Sequence, residues 1–247
     1  MLIKTDAVVL KQNKFGEGDR IITLFTKKLG KVQAVSKASG RHKGKYAVGT
    51  QLFSYGEFVL FKGRDLFQIT QVDLRDSFYS IREEVTKLAY GAYLLELTLA
   101  AIEEGQTNNR LFELLVDLLQ LFSKSKKNME TLIKAYEMKL LYYSGYKPEL
   151  EHCVYCGTSE LGNPRFSSSE GGILCKNCFQ QDPYAMKISP VTIRVMQYLI
   201  TQDLGQIAKL MIRTEVIEEL NKITRHYIGT HLEKNAFKSL EFLNHIK

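Results

Sequence analysis

Residues 1–80 alternate between short apolar runs and polar, turn-like breaks, and after Ser80 the apolar positions change to a helical spacing. DAVVLKQ, RIITLFTKK, GKVQAVSKA, EFVLF and LFQITQVDL are rich in β-branched and aromatic residues and are punctuated by FGEGD, KLG and KGRD, a pattern that predicts five strands. Five strands in about 75 residues predict a small closed barrel, because an open sheet that narrow leaves flat edges and an uncovered apolar face. In EFVLF the apolar residues are successive. Both faces of that strand are therefore expected to be covered, one by the barrel core and one by a neighbouring domain.

The helical part begins with TKLAYGAYLLELTLAAIEE, where Leu88, Ala92, Leu95 and Leu99 recur at three and four. Asn108 is placed to cap a second helix through LFELLVDLLQLF, and the polar break SKSKKN leads to a third around TLIKAYEMKLLYYSG, closed by Gly145 and Pro148. Ser189 and Pro190 supply an N-cap and a first-turn proline for SPVTIRVMQYLITQ. Helices over TEVIEELNKITRHYIGTHL and FKSLEFLNHI finish the chain. The resulting division is a barrel over 1–80, a helical domain over 81–150 and 184–247, and a cysteine segment over 151–183 inserted into it. The helices on either side of that insert are expected to form one bundle.

With 247 residues, 45% apolar and 25% charged, the composition is that of a globular protein with room for two domains. Lys4 and Asp6 interrupt the N-terminus, so no signal peptide is expected, and no run approaches the ~18 apolar residues of a membrane span. The expected setting is the cytoplasm, with no membrane partner and with thiols kept reduced.

Charge changes the picture most. Residues 1–80 hold 14 Lys/Arg against 7 Asp/Glu, and the remainder holds 20 against 20, so the net +7 lies wholly in the first third. Between Asp19 and Glu57 there are eight basic residues and no acid; four of them, Lys37, Arg41, Lys43 and Lys45, fall in KASGRHKGKY. Uncompensated cationic charge of this kind suits a polyanion, above all a phosphodiester backbone. The candidate DNA contacts are Lys11, Lys14, Arg20, Lys27, Lys31, Lys37, Arg41, Lys43, Lys45 and Arg64. Among the barrel aromatics, Phe15 and Tyr46 stand beside glycine and charge and are the expected exposed rings; the others read as core.

All four cysteines fall in one segment, as Cys153-x2-Cys156, eighteen residues, and Cys175-x2-Cys178. Two such knuckles give tetrahedral four-sulfur coordination, which Zn2+ favours, and four sulfurs leave no open position for water. The reading is one structural Zn2+, with His152 redundant as a ligand; four unrelated thiols or two disulfides are the competing readings. Catalytic patterns are missing. Gly40-x3-Gly44-Lys45 is one residue short of a phosphate-binding Walker loop and is followed by Tyr46, and Gly16-x-Gly18 lacks the third glycine of a dinucleotide fingerprint. A nuclease or nucleotidyl transferase would need clustered acids for Mg2+, and residues 20–56 offer none. His226 and His231, five apart, suit an ordinary helical face better than a metal pair. An RNA- or ribosome-binding protein is the alternative within the binding class, since small barrels and zinc knuckles serve there too.

The order KFGEGDRIITLFTKKLGKVQAVSK, GRDLFQIT, AYEMKLLYYSGYKPELEHCVYCG with GGILCKNC, and RHYIGTHLEKNAFKSLEFL closely resembles the RecO family of bacterial recombination mediators. That resemblance implies an N-terminal OB-fold β-barrel, an all-α helical domain with an inserted four-cysteine zinc finger, and no enzymatic turnover. It further implies binding of single- and double-stranded DNA, annealing of complementary strands, and work with RecR to load RecA onto DNA coated by single-strand binding protein (SSB), whose C-terminal tail is contacted. The setting implied is nucleoid-associated cytoplasm. The family's GE-x-D turn falls on Gly16, Glu17 and Asp19 and its basic loop on Lys37 to Lys45, with Gly44 where relatives often carry serine.

Overall fold

A computed structural model describes residues 1–37, 46–125 and 128–246. The first five strands are β1 (Leu2–Phe15), β2 (Asp19–Thr26), β3 (Gly30–Ser36), β4 (Tyr55–Lys62) and β5 (Phe67–Asp76). They close into a barrel in the order β1-β2-β3-β5-β4, antiparallel throughout except for the β3–β5 pair. This is the small closed barrel that the five apolar runs predict, and it is OB-like, as the family resemblance implies.

Closure depends on β1. Its first half pairs with β4, from Leu2 opposite Phe61 to Val8 opposite Tyr55, and its second half pairs with β2, from Ala7 opposite Thr26 to Phe15 opposite Asp19. One strand can serve two neighbours only if it bends. The register shift between Val9 and Lys11 supplies the bulge, which bends the strand and increases its twist. Ala7, Val9, Ile22, Leu24, Val32, Ala34, Phe58, Leu60 and Ile69 fill the interior.

The strand covered on both faces is β1 rather than β4. In β4, Phe58 and Leu60 point inward, Val59 is half-buried and Phe61 is 44% exposed, so the strand alternates as an ordinary half-buried one. Ala7, Val8, Val9 and Leu10 are all buried, as is the whole of Ile22–Thr26. The outward row Tyr55, Val8 and Phe25 is covered by Phe112, whose ring meets Phe25 edge-on at 5.4 Å and Tyr55 at 6.3 Å.

Phe112 belongs to α3 (Asn109–Lys124), which follows α1 (Tyr79–Glu83) and α2 (Val85–Ala101). Asn108 caps α3, its Oδ1 accepting the Leu111 N–H at 3.0 Å. In α2 the expected apolar seam holds only at Leu95: Leu88, Ala92 and Leu99 are half-buried, whereas Ala89, Tyr90, Tyr93, Leu94 and Leu97 are buried with Leu95. A helix apolar on most of its circumference has no single seam for periodicity to select. The turn between β2 and β3 passes against the segment after α2. Gly30 has φ +65° there, and a Cβ would meet the Gln106 carbonyl oxygen at 2.0 Å.

The remaining elements are α4 (Met129–Tyr143), β6 (Arg165–Ser167), β7 (Gly172–Leu174), β8 (Met186–Lys187), α5 (Pro190–Thr201), α6 (Leu204–Ile207), α7 (Thr214–Leu232) and α8 (Lys238–Ile246). The helices do not form one bundle. Residues 1–124 and 238–247 make one compact unit, with α8 against α2, and residues 125–237 make another around α4. The single bundle fails as an expectation because α2 and α3 cover the barrel's outward rows instead. In the second unit, α4 buries Leu132, Tyr136, Leu140 and Leu141 together with an ion pair, Lys134 Nζ to Glu137 Oε2 at 2.6 Å, whose ammonium also donates to Thr224 Oγ1 at 3.0 Å. Ser189 caps α5 by accepting the Thr192 N–H at 3.1 Å. No helix among the described residues is long and apolar enough to cross a membrane.

Phe112→Ala removes the lid from the row Tyr55, Val8 and Phe25. It is expected to cost about 3–5 kcal/mol of stability, read as a fall in the urea midpoint at constant m-value, with barrel strands retained in the folded fraction.

Candidate metal centre and nucleic-acid interface

The first knuckle, Cys153-Val154-Tyr155-Cys156, closes with the Gly157 N–H donating to the Cys153 carbonyl at 2.9 Å, and Gly157 takes φ +73°, a conformation that side chains disfavour. The second closes with the Cys178 N–H on the Cys175 carbonyl at 3.0 Å. The two are joined by the Val154 N–H on the Ile173 carbonyl at 2.9 Å and the Cys175 N–H on Cys153 Sγ at 3.4 Å. A three-stranded sheet, ordered β7-β6-β8, carries the second knuckle.

All four sulfurs lie within 4.8 Å of one another, and Cys156 Sγ is 3.8 Å from Cys175 Sγ. Four sulfurs set tetrahedrally at about 2.3 Å from one ion stand about 3.8 Å apart, so the donors fit a thiolate-bound cation. All four are free thiols, so the disulfide reading fails. Burial opposes ionisation of Cys153, but the backbone N–H groups of Cys156, Cys175 and Tyr155 and the Cys156 thiol draw it down to about 6. Cys178 is pushed up to about 12, first by burial and then by the three other sulfurs. A cation bound to the sulfurs would favour the thiolate form of each ligand. His152 is exposed, 3.7 Å from Glu149 Oε1, and outside the sulfur group. His226 and His231 serve structure: Nδ1 of His226 is 2.8 Å from Ser168 Oγ, and Nε2 of His231 donates to the Ser168 carbonyl at 2.9 Å.

The structure divides the ten candidate DNA contacts. Register sets Lys14 opposite Arg20 and Arg20 opposite Ser36, in one row across β1, β2 and β3, and Lys37 follows directly. Lys11, Lys14, Lys37 and Arg64 are exposed, Arg64 in the turn from β4 to β5. Arg20 is half-buried; its Nη1 donates to Gln12 Oε1 at 2.7 Å, and the Gln12 amide is held by the Thr50 carbonyl. Its Nε is buried with no hydrogen-bond partner among the described residues. Arg41, Lys43 and Lys45 lie outside the described residues.

Lys27 and Lys31 are turned to the helices instead. Lys27 Nζ pairs with Glu113 Oε1 of α3 at 2.8 Å, and that hydrogen bond and charge raise its pKa. Lys31 Nζ donates to the Ile102 carbonyl at 2.7 Å. The expectation that the charge of this stretch is uncompensated is therefore corrected at Lys27, which meets in space an acid that it lacks nearby in sequence. Of the two rings expected to be exposed, Phe15 is 49% exposed, whereas Tyr46 is half-buried with its hydroxyl on the Thr70 carbonyl. The Gln12 brace is the residue that sequence reasoning missed. Its acceptor Thr50 is 38 positions away, and no local pattern links them.

Replacing Cys156 or Cys178 by serine is expected to reduce bound metal from about one ion per chain to near none, measured by elemental analysis of protein purified without added metal.

Family profiles described as "Recombination protein O N terminal" and "Recombination protein O C terminal" match residues 1–78 and 82–241. A protein of Alkaliphilus metalliredigens named "DNA repair protein RecO" is 45% identical over 246 residues, covering 100% of both chains. Proteins of the same name from Acetivibrio thermocellus and a Thermoanaerobacter species are 34% and 33% identical, covering 98% and 100% of this chain and 96% and 98% of their own. The two profiles together span the barrel and the region that follows it, and the chain belongs to the RecO family of DNA repair proteins.

Proposed function

We propose that this protein is a non-catalytic, DNA-binding recombination mediator, whose barrel, residues 1–80, grips sugar-phosphate through the cationic end of β1, β2 and β3. The observation that carries the reading is the register that sets Lys14 beside Arg20 at one end of β1 and β2, with the exposed Lys37 at the end of β3 and the basic stretch following it in sequence. OB-type barrels bind nucleic acid on the β2–β3 face, flanked by the β1–β2 and β4–β5 turns. Here the exposed Phe15 leads into the first of those turns and the exposed Arg64 lies in the second. Arg20 is braced by Gln12 through Nη1, which fixes where its charge sits at this end of the barrel. Lys27 and Lys31 support the barrel against its helices and are left out of this contact set.

Lysine and arginine on a loop read charge rather than base edges, so the binding has little sequence preference and serves single- and double-stranded DNA alike. Two strands held on one cationic surface repel each other less, which is the physical basis of annealing. In the same reading the protein acts with RecR to load RecA on strands coated by SSB, whose tail it contacts, in the nucleoid-associated cytoplasm. The metal is one Zn2+ held by Cys153, Cys156, Cys175 and Cys178. It is structural, because four sulfurs complete a tetrahedron and leave no position for substrate.

Charge reversal at Lys37, Arg41, Lys43 and Lys45 together is expected to flatten the dependence of log K on log salt for single-stranded DNA by about 3, at about 0.7 per lost phosphate contact. The fold and metal content should be unchanged. An unaltered slope, or RNA displacing single-stranded DNA far better than DNA displaces RNA, would count against the reading.

A further inference from the structure

The cysteine segment carries a cationic cleft that the barrel reading does not use. A space of about 510 Å3 is lined by Arg165, Lys176, Lys187, Phe179 and Asn163 among others, with no carboxylate on its wall. Arg165 and Lys187 are cross-strand partners in β6 and β8, which puts their side chains on the same face of that sheet. The Arg165 guanidinium lies 4.6 Å from the Phe179 ring centroid, a stacking that fixes its place and leaves its charge available. Lys176 is anchored by its backbone N–H on the Leu161 carbonyl at 3.0 Å. Its stem lies against Gly162, where an added Cβ would come within 2.9 Å of Lys176 Cδ. None of these three cations forms an ion pair among the described residues.

An exposed ring lies next in the chain to a residue that Arg165 touches. Tyr184, 86% exposed, immediately precedes Ala185, whose carbonyl receives Arg165 Nη1 at 3.5 Å. Three unpaired cations on one wall exclude a neutral or cationic ligand. An acidic peptide would satisfy the charges and leave the ring unused, whereas an unpaired nucleotide satisfies both, with phosphate on the cations and base on the ring. The size fits too, since pockets of roughly 300–1,000 Å3 take ligands of nucleotide dimensions.

We propose that this cleft is a second, single-strand-selective nucleic-acid site, in which Arg165, Lys176 and Lys187 hold phosphodiester oxygens and Tyr184 stacks on an unpaired base. It rests on the barrel reading only in taking the ligand to be nucleic acid. The test is photocrosslinking of the full-length, metal-loaded protein to an oligothymidylate containing 5-iododeoxyuridine, with the linked peptides mapped by mass spectrometry. Crosslinks at Tyr184 or Phe179, in addition to those in the barrel, are expected. The triple variant Arg165→Gln, Lys176→Gln, Lys187→Gln should abolish them, with metal content as the control for folding. Tyr184→Ala, distant in role from the thiols, should weaken binding at this site by roughly 5- to 100-fold, the range of one base stack. Crosslinks confined to the barrel, or finger crosslinks undiminished in both variants, overturn the inference and leave the barrel reading standing. No crosslink anywhere overturns both. A labelled poly-glutamate peptide that binds this cleft and is not displaced by oligothymidylate reassigns it to an acidic partner and also overturns the inference.

Discussion

The barrel unit depends on the bend in β1. A single 14-residue strand hydrogen-bonds β4 along its first half and β2 along its second, and the bulge between Val9 and Lys11 is what lets it turn from one to the other. Without that bend the five strands would form an open sheet with two unpaired edges. The two cations at the far end of β1 and β2 share a face because the register of that hairpin sets Lys14 against Arg20. A slip of one residue would move each of these side chains to the opposite face.

Closure also explains which cations are used where. A barrel has an outside, and part of this one is packed against its own helices through the row Tyr55, Val8 and Phe25 under Phe112. Cations near that contact find helical partners, Glu113 for Lys27 and the Ile102 carbonyl for Lys31, and become structural. At the other end of β1 and β2, Arg20 is steadied by a neutral glutamine instead. A neutral brace preserves the positive potential that an acid would cancel.

In the other unit the organising element of the cysteine segment is four sulfurs rather than an apolar core. Leu174, Ala185 and three of the cysteines form the buried cluster there, with Val154 and Leu161 packed alongside. So small an apolar cluster buries little surface, and a cation held by the four sulfurs would add binding energy that orders the knuckles. The ribbon is further moored to α7 through Ser168, grasped by two histidines five residues apart. That gives His226 and His231 a packing role that accounts for both.

Strand runs, helix caps and cysteine spacing were determined by the sequence itself, because each is a local matter: side-chain period, an oxygen three residues from an N–H, two thiols on one turn. Asn108 and Ser189 cap as their positions require, and the Cys-x2-Cys pairs do converge. What only the tertiary structure decided is everything that depends on distant neighbours. It chose β1 over β4 as the doubly covered strand, divided the helices between two units, selected the buried faces of α2, and separated Lys27 and Lys31 from Lys14 and Arg20. Burial and ion pairing are set by what lies within a few ångströms in space, and Lys27 and Glu113, 86 positions apart in the chain, are 2.8 Å apart in the fold.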